Sequence, residues 1–551
     1  MNTLWIGVAL IVWLALGYRV YGRWLARNLI EPDDANPVPS RTQADGLDYH
    51  AAKMPVLFGH HFSSIAGAGP IVGPLLGVMI FGWLPALLWV AIGAVFIGAV
   101  HDYVSLMASV RNEGVSIGEI AERTLGRRAR LVLSIFLWCA LVLVVAVFGV
   151  ITARTFTTQP AIVLPTFGLI GLSMIFGKVV LRGGARLGPA TVLALLGLAG
   201  LIWLGQRVPI DLGESMLGLP AVTVWFWVLM VYCVAASILP VWLLLQPRDY
   251  LSTWILYLGL GGGVAGLLVL HPDIDAPAFT RFHTGSGHMW PMLCVMIACG
   301  AISGFHSLVA SGTTSKQLAR ESDGLRVGFG AMILEAGLAG LVILIAAGTL
   351  GWDTATIPDA GSLQFLMSNE GGGPIVAFAT GLSRLVDALP LLTAPIGLFV
   401  GLLMINAFVI TTLDTATRLG RFVMQELGDG VPLLGNRWVA TLITVMAAGW
   451  LGASDSYMRI WPVFGATNQL VAALSLIVVS SWLVSLRKPR LMTLLPALFM
   501  LATTVAALVW QARQFAKTGQ NLLATIAVCL LVLALFIAWE ARALLRKSSA
   551  N

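Results

Sequence analysis

The sequence predicts an all-α polytopic membrane protein of about fifteen spanning helices, with an inverted repeat at its core. Three observations carry that prediction. Charged residues make up 11% of the chain and hydrophobic ones 58%, where a soluble domain is about a quarter charged. Apolar runs such as LVLSIFLWCALVLVVAVFGVI at 131–151 and QNLLATIAVCLLVLALFIAW at 520–539 recur from end to end, and roughly 20 apolar residues cross a bilayer as a helix. Lysines and arginines fall in short flanks on alternate sides of those runs. A membrane β-barrel would show short alternating segments instead, so it is excluded.

In chain order the expected spans are 3–21, 61–82, 84–109, 131–152, 161–177, 188–205, 221–245, 251–270, 290–312, 328–349, 388–416, 438–453, 461–485, 491–510 and 520–541. The first lacks a basic n-region and a small-residue cleavage site, so it reads as a retained helix, not a signal peptide. With the N-terminus outside, twenty-six of the thirty-three lysines and arginines lie on the inner side, 246–250 being one of the inner loops. That bias predicts N-terminus out and C-terminus in. The net charge of +7 sits in these flanks and reads as topology determinants, not as a nucleic-acid surface. The stretch at about 350–387 is polar, then apolar (PIVAFATGLSRLV), and reads as an amphipathic or re-entrant element on the outer side. Cys139, Cys233, Cys294, Cys299 and Cys529 all lie in apolar runs without a CxxC pair, so they read as packing residues. No soluble catalytic domain fits between the runs. No Walker A motif is present, so direct energisation by ATP is not expected.

Two segments repeat. HFSSIAGAG at His61 and HSLVASGTT at His306 each place a glycine six residues after the histidine. FGVIT at 148–152 and FVIT at 408–411 follow in the same order, 91 and 105 residues beyond those histidines. The paired spans run in opposite directions across the bilayer, which is an inverted repeat of the kind that builds many secondary transporters. The chain then divides into an N-terminal helix and loop (1–57), a first half (58–205), intervening helices (206–285), a second half (286–485) and C-terminal helices (486–551).

GHHFSSIAGAGPIVGP (59–74), VHDYVSLMASVRNEGVSIGEIA (100–121), GAMILEAG (330–337), TTLDTATRLGRF (411–422) and WPVFGATNQLVAALSL (461–476) together resemble the carbon starvation protein A (CstA) family. The resemblance covers about residues 50 to 485. It implies a LeuT-like five-plus-five inverted repeat, residence in a bacterial cytoplasmic membrane, and ion-driven uptake of pyruvate or short peptides. The two helices at 221–245 and 251–270 depart from the simple repeat.

Polar groups at membrane depth are costly, so those present are candidates. His61, with Ser63 and Ser64, is read as a proton site or substrate contact, or as part of an interfacial pair with His60 at a helix start. Gly67, Ala68 and Gly69, followed by Pro70 and Pro74, read as an unwound break that offers backbone dipoles to a ligand, or as a close-packing face. His306, Ser307 and Ser311 read as a second break at 304–314, or as a small-residue packing face. Glu335 is the expected proton-coupling residue, with a hydrogen bond between helices as the alternative. Thr411, Thr412, Asp414 and Thr415 offer a hard-cation oxygen set. In LeuT-like relatives, hydroxyls at about this place bind sodium. The alternative is back-bonding to the preceding turn, with Asp414 paired to Arg418. Asn468 and Gln469 are read as substrate contacts or helix glue. Asp102, with Arg111, is expected on the inner face as part of a gate. No catalytic residue, resident metal or cofactor is expected, only a coupling proton or sodium ion. The partners are the lipid bilayer and a small carboxylate or short peptide bound between the two breaks and moved by alternating access. An uncoupled channel, a membrane metabolite sensor and an intramembrane enzyme using His60, His61, His101 and Asp102 are the rivals.

Overall fold

Where the apolar runs are long and uninterrupted they fold as single helices, and where polar partners reach into them they break. The computed structural model describes residues 2–547 except 217, 356–358, 369, 429 and 454–456, with the side chains of 457–462 and 541–547 also outside it. The last four residues of the expected C-terminal unit, 548–551, lie outside the described residues. The helices used below are α1 (Thr3–Ile30), α2 (Met54–Ile65), α3 (Gly69–Phe81), α4 (Trp83–Arg111), α5 (Arg127–Thr158), α6 (Pro160–Arg182), α7 (Leu187–Arg207), α8 (Ala221–Ile238) and α9 (Leu245–Leu270). They continue as α10 (Met289–Met296), α11 (Gly304–Val309), α12 (Glu321–Thr349), α13 (Gly373–Asp387), α14 (Ala394–Leu427), α15 (Arg437–Gly452), α16 (Tyr457–Ser485), α17 (Leu491–Lys517) and α18 (Asn521–Lys547).

Among the described residues, 12 helices are long and apolar enough to cross a membrane. The pair α2–α3, bent by 44° at its break, makes up to 13. Of the other expected spans, 438–453 is the 16-residue α15, and 290–312 is a string of short pieces. The element expected at 361–387 contains α13, a 15-residue helix that folds back on the start of α14. Ser383 donates to the Ala394 carbonyl (2.9 Å) and Asp387 accepts from the Ala394 amide (2.7 Å) at that corner. Among the described residues, sheet is limited to two small hairpins, Ser215–Met216 with Leu219–Pro220 and His283–Thr284 with Gly287–His288.

The centre of the bundle is α14 packed along α5, with α16 enclosed by its neighbours from Val463 to Ser480. Apolar side chains on α7 and α18, such as Leu193, Trp203, Val532 and Trp539, point outward, as a lipid-facing periphery requires.

The first break falls at Ala66–Ala68, where Ala66 leaves the helical region (ψ 70°). Pro70 then opens α3, a position whose N–H would have no helical partner anyway. Gly69 is required here, because a Cβ on it would lie 2.2 Å from the Cys299 side chain. The second break does not fall at 304–314 as expected. It lies earlier, at Ile297 and at the extended pair Ile302 (φ −159°) and Ser303 (φ −105°). The hydroxyls of Ser311 and Thr313 bond back to the carbonyls of Ser307 (2.7 Å) and Val309 (3.0 Å), so they spend their hydrogens inside a segment that stays helical. Two further expectations fail. The segment 246–250 is no loop but the first turn of α9, and α2 begins at Met54, so His60 and His61 sit inside a helix and not at its start.

Candidate functional site

Four helices meet at the first break. The carbonyls of Ser63 and Ser64, freed where α2 ends, accept the hydroxyls of Thr411 (2.6 Å) and Thr412 (3.0 Å) of α14. Both hydroxyls also reach the Phe408 carbonyl one turn back, and Thr415 lies 3.2 Å from the Ser64 hydroxyl. The three threonines of the expected oxygen set therefore gather against the broken helix, without Asp414. Gly67 lies under it, with Thr412 and the Phe148 ring within 3.1 Å of where a Cβ would stand.

A chain of acid and imidazole crosses the middle of the protein. His101 donates from Nδ1 to Asp102 (3.0 Å), and His306 donates from Nδ1 to the other Asp102 oxygen (2.8 Å). On its far side, His306 Nε2 lies 3.1 Å from Glu335 Oε2, near enough for an ion pair but out of line for a hydrogen bond. All four side chains are fully buried. Glu335 thus has an ionisable partner, and Asp102 belongs to this chain rather than to an inner-face gate. Arg111, expected beside Asp102, pairs with Glu321 instead (2.9 Å). His61 joins the two broken segments, its Nδ1 2.8 Å from the Thr314 hydroxyl, while its Nε2 has no hydrogen-bond partner among the described residues.

A second charged cluster was not expected. Arg248, 2% exposed, reaches Asp249 (3.1 Å from Nε), the Tyr232 hydroxyl (2.5 Å) and both oxygens of Asp414, one at 3.0 Å. Tyr232 also donates to Asp414 (2.6 Å). Asp249 in turn accepts from His60 Nδ1 (2.5 Å) and from Ser64 (3.3 Å). Gln317 faces the other His60 nitrogen (3.3 Å), which fits the tautomer with the proton on Nδ1. Arg418 does not pair with Asp414; it reaches Asp48 (2.6 Å) and the carbonyls of Ala236 and Leu239. The readable signal for Arg248 is the polar run QPRDY at 246–250, which reads in sequence as a loop.

At the second break, Asn468 of α16 caps the interrupted backbone. Its Oδ1 accepts from the Phe305 amide (2.9 Å) and Ser303 hydroxyl (3.3 Å), and its Nδ2 donates toward Cys299 (3.1 Å). Between the breaks lies a cavity of about 10 Å³, lined by Gly67, Gly69, Phe148, Cys299, Ser303, Thr412 and Phe464. At about one water's worth of room it is closed. Gln469 points away, toward Met500 (3.7 Å). Ser307 bonds to Ser475 (2.8 Å) rather than facing the cavity. Ala68 is buried at the break, while Ser311 lies further along, beside Ser109 and Lys316. Cys299, Ser303, Phe148 and Phe464 were missed, because only tertiary packing brings them to the break. A larger apolar groove, about 830 Å³, runs between α1, α2, α9 and α12, with Ile11 and Leu268 facing outward; Thr253 on its wall bonds to Ser63 (2.8 Å). Among the described residues no three His, Cys, Asp or Glu side chains are grouped to hold a metal ion.

Comparison with known proteins points the same way. The family model described as carbon starvation protein CstA matches residues 2–360 and 359–507. The peptide transporter CstA of Bacillus subtilis is 33% identical, over 93% of this chain and 91% of its own length. The pyruvate/proton symporter BtsT of Escherichia coli is 30% identical, over 92% of this chain and 81% of its own. The crystal structure of MhsT in complex with L-phenylalanine superposes with a TM-score of 0.51 over 90% of this chain and 100% of that one; at 12% identity it speaks for a shared LeuT-type fold alone. The chain belongs to the carbon starvation protein CstA family.

Proposed function

We propose that this protein is a proton-coupled secondary transporter that takes up a small carboxylate such as pyruvate, or short peptides, by alternating access. The observation that carries the reading is the buried chain His101–Asp102–His306–Glu335. It links α4, the helix after the second break and α12, so a proton arriving at Glu335 changes the charge balance at a broken helix. The pyruvate/proton symporter among the relatives agrees with that choice of ion.

Substrate binds in this reading at the cavity between the breaks, where Gly67, Ala68 and Gly69 expose backbone and Asn468 and Ser303 offer hydrogen bonds. His61 lies beside it as the link to the second broken segment. The cavity is closed, so occupancy requires the two broken helices to move apart. An inverted repeat relating 58–205 to 286–485, with fifteen crossings, the N-terminus outside and the C-terminus inside a bacterial cytoplasmic membrane, completes the proposal. A sodium-coupled alternative would use Thr411, Thr412, Asp414 and Thr415. The proton reading is favoured because Asp414 is taken by Arg248, and the hydroxyls of Thr411 and Thr412 close directly onto the Ser63 and Ser64 carbonyls at 2.6 and 3.0 Å.

The test is Glu335→Gln in reconstituted vesicles. Gradient-driven accumulation of pyruvate or dialanine is expected to fall to background, while exchange of labelled for unlabelled substrate persists. Full accumulation by the variant would remove Glu335 from coupling. Wild-type vesicles that show no counterflow would favour the channel, and binding without transport the sensor.

A further inference from the structure

Three small cavities lie in a row from the break to the inner end of α14. The first, between the breaks, shares Val144, Phe305 and Phe464 with a second of about 10 Å³. The second shares Leu141 and Leu308 with a third of about 20 Å³, lined by Ser116, Ser311, Lys316, Phe422 and Glu426. The residues shared at the two junctions carry bulky apolar side chains, so rotation of a few of them would join the row into one path.

The end of this row is unusually cationic for a buried place. Lys316 is only 9% exposed, and its ammonium rests over the Phe422 ring (3.8 Å) and the Tyr49 ring (5.2 Å). It has no carboxylate within ion-pair distance among the described residues; Glu426, on the same cavity, accepts from Ser116 instead (2.7 Å). Beside it, the buried Arg418 and Arg421 share one carboxylate, Asp48, at 2.6 and 3.0 Å. Asp48 rides on the segment 45–53, which is folded by three amides donating to Asp45 Oδ1 and tied down where the amides of His50 and Ala52 donate to the carbonyls of Lys316 (3.1 Å) and Gln317 (3.0 Å). Three cations gather here: both arginines are bonded to Asp48, while Asp48 and Glu426 act on Lys316 only through space. A buried ammonium resting on rings, with no carboxylate in direct contact, has room for an anion.

We propose that Lys316, Arg418 and Arg421 form a carboxylate-binding subsite at the inner end of the release route, and that Asp48 fills part of it when the route is closed. This rests on the reading that the cargo carries a carboxylate, as pyruvate and a peptide C-terminus both do. As the path opens, the cargo's carboxylate meets Lys316 first and displaces Asp48 from the arginines, lifting the segment 45–53 from the exit.

The test uses full-length protein in sided vesicles, with pyruvate and dialanine as separate probes and half-saturation measured from each face. Lys316→Met is expected to weaken half-saturation about tenfold from the Lys316 face only, the scale of one lost charge-assisted hydrogen bond. Lys316→Arg should restore it, and Asp48→Asn should tighten it from the same face. An effect with pyruvate alone, or dialanine alone, tells which carboxylate is the cargo. Equal weakening from both faces, no change, or looser binding in Asp48→Asn overturns the subsite; if Lys316→Met does not reach the membrane, the Asp48→Asn result decides. Wild-type vesicles that carry neither probe would instead overturn the cargo reading itself.

Discussion

Single residues at membrane depth divide by whether their surroundings were visible in the chain. Glu335, His306 and the threonines of α14 stand out from apolar neighbours, so sequence alone marks them. Arg248 does not, because its neighbours Gln246, Pro247 and Asp249 imitate a loop. Its role is set by Asp414, 166 residues away, and by Tyr232. The cluster makes a definite prediction. Arg248→Met would leave Asp249 and Asp414 buried without their cation, a loss of about 3–5 kcal/mol. Thermal melting of purified protein should show it, and adding Asp414→Asn should recover part of the loss. Strict additivity of the two changes would mean that the pair is not coupled.

At the level of elements, hydropathy located the helices but not the second break. Small residues at 304–314 suggested one, yet their hydroxyls satisfy the helix they sit in. The true break at 302–303 is made by Asn468, from a helix 165 residues later, and by Gly304, whose Cβ would lie 2.2 Å from the Asn468 carbonyl oxygen. The first break was legible because Gly and Pro carry the signal locally. The segment 45–53 shows the same dependence on distant partners, and its strength is open to a pH test. Burial alone would raise the Asp48 carboxyl, but Arg418, Arg421 and Lys316 outweigh it and hold it below its ordinary value. A carboxyl depressed in the folded state contributes stability that is present above its unfolded pKa of about 3.9 and lost as pH falls through the folded value. The melting difference between wild type and Asp48→Asn should therefore stay level from about pH 5 to 8 and shrink below about pH 4. A difference that changes across the neutral range would show that Asp48 is not the titrating partner of these cations.

For the whole molecule, parity links the helix count to the orientation. Twelve unbroken spans alone would leave both termini on one side, while the bent pair α2–α3 makes thirteen, an odd number that separates them. The proposed arrangement, N-terminus out and C-terminus in, then requires that the broken segment 289–314 and the 16-residue α15 either both cross or both stay on one side. The inner-side bias of lysine and arginine favours crossing, and it survives the transfer of Arg248 from loop to helix because the other inner flanks are unchanged. The two arrangements exchange the sides of two exposed loops. If both segments cross, Ala360 faces outside and Leu433 inside; if neither does, the two swap. Single cysteines at these positions, Ala360→Cys and Leu433→Cys, in a background whose five native cysteines are replaced by serine, read the difference. A membrane-impermeant maleimide applied to intact cells should label Ala360→Cys and leave Leu433→Cys unlabelled until the membrane is opened. The reverse pattern would reduce the crossings to thirteen and take the second broken segment out of the membrane-spanning set, and the inverted repeat would go with it.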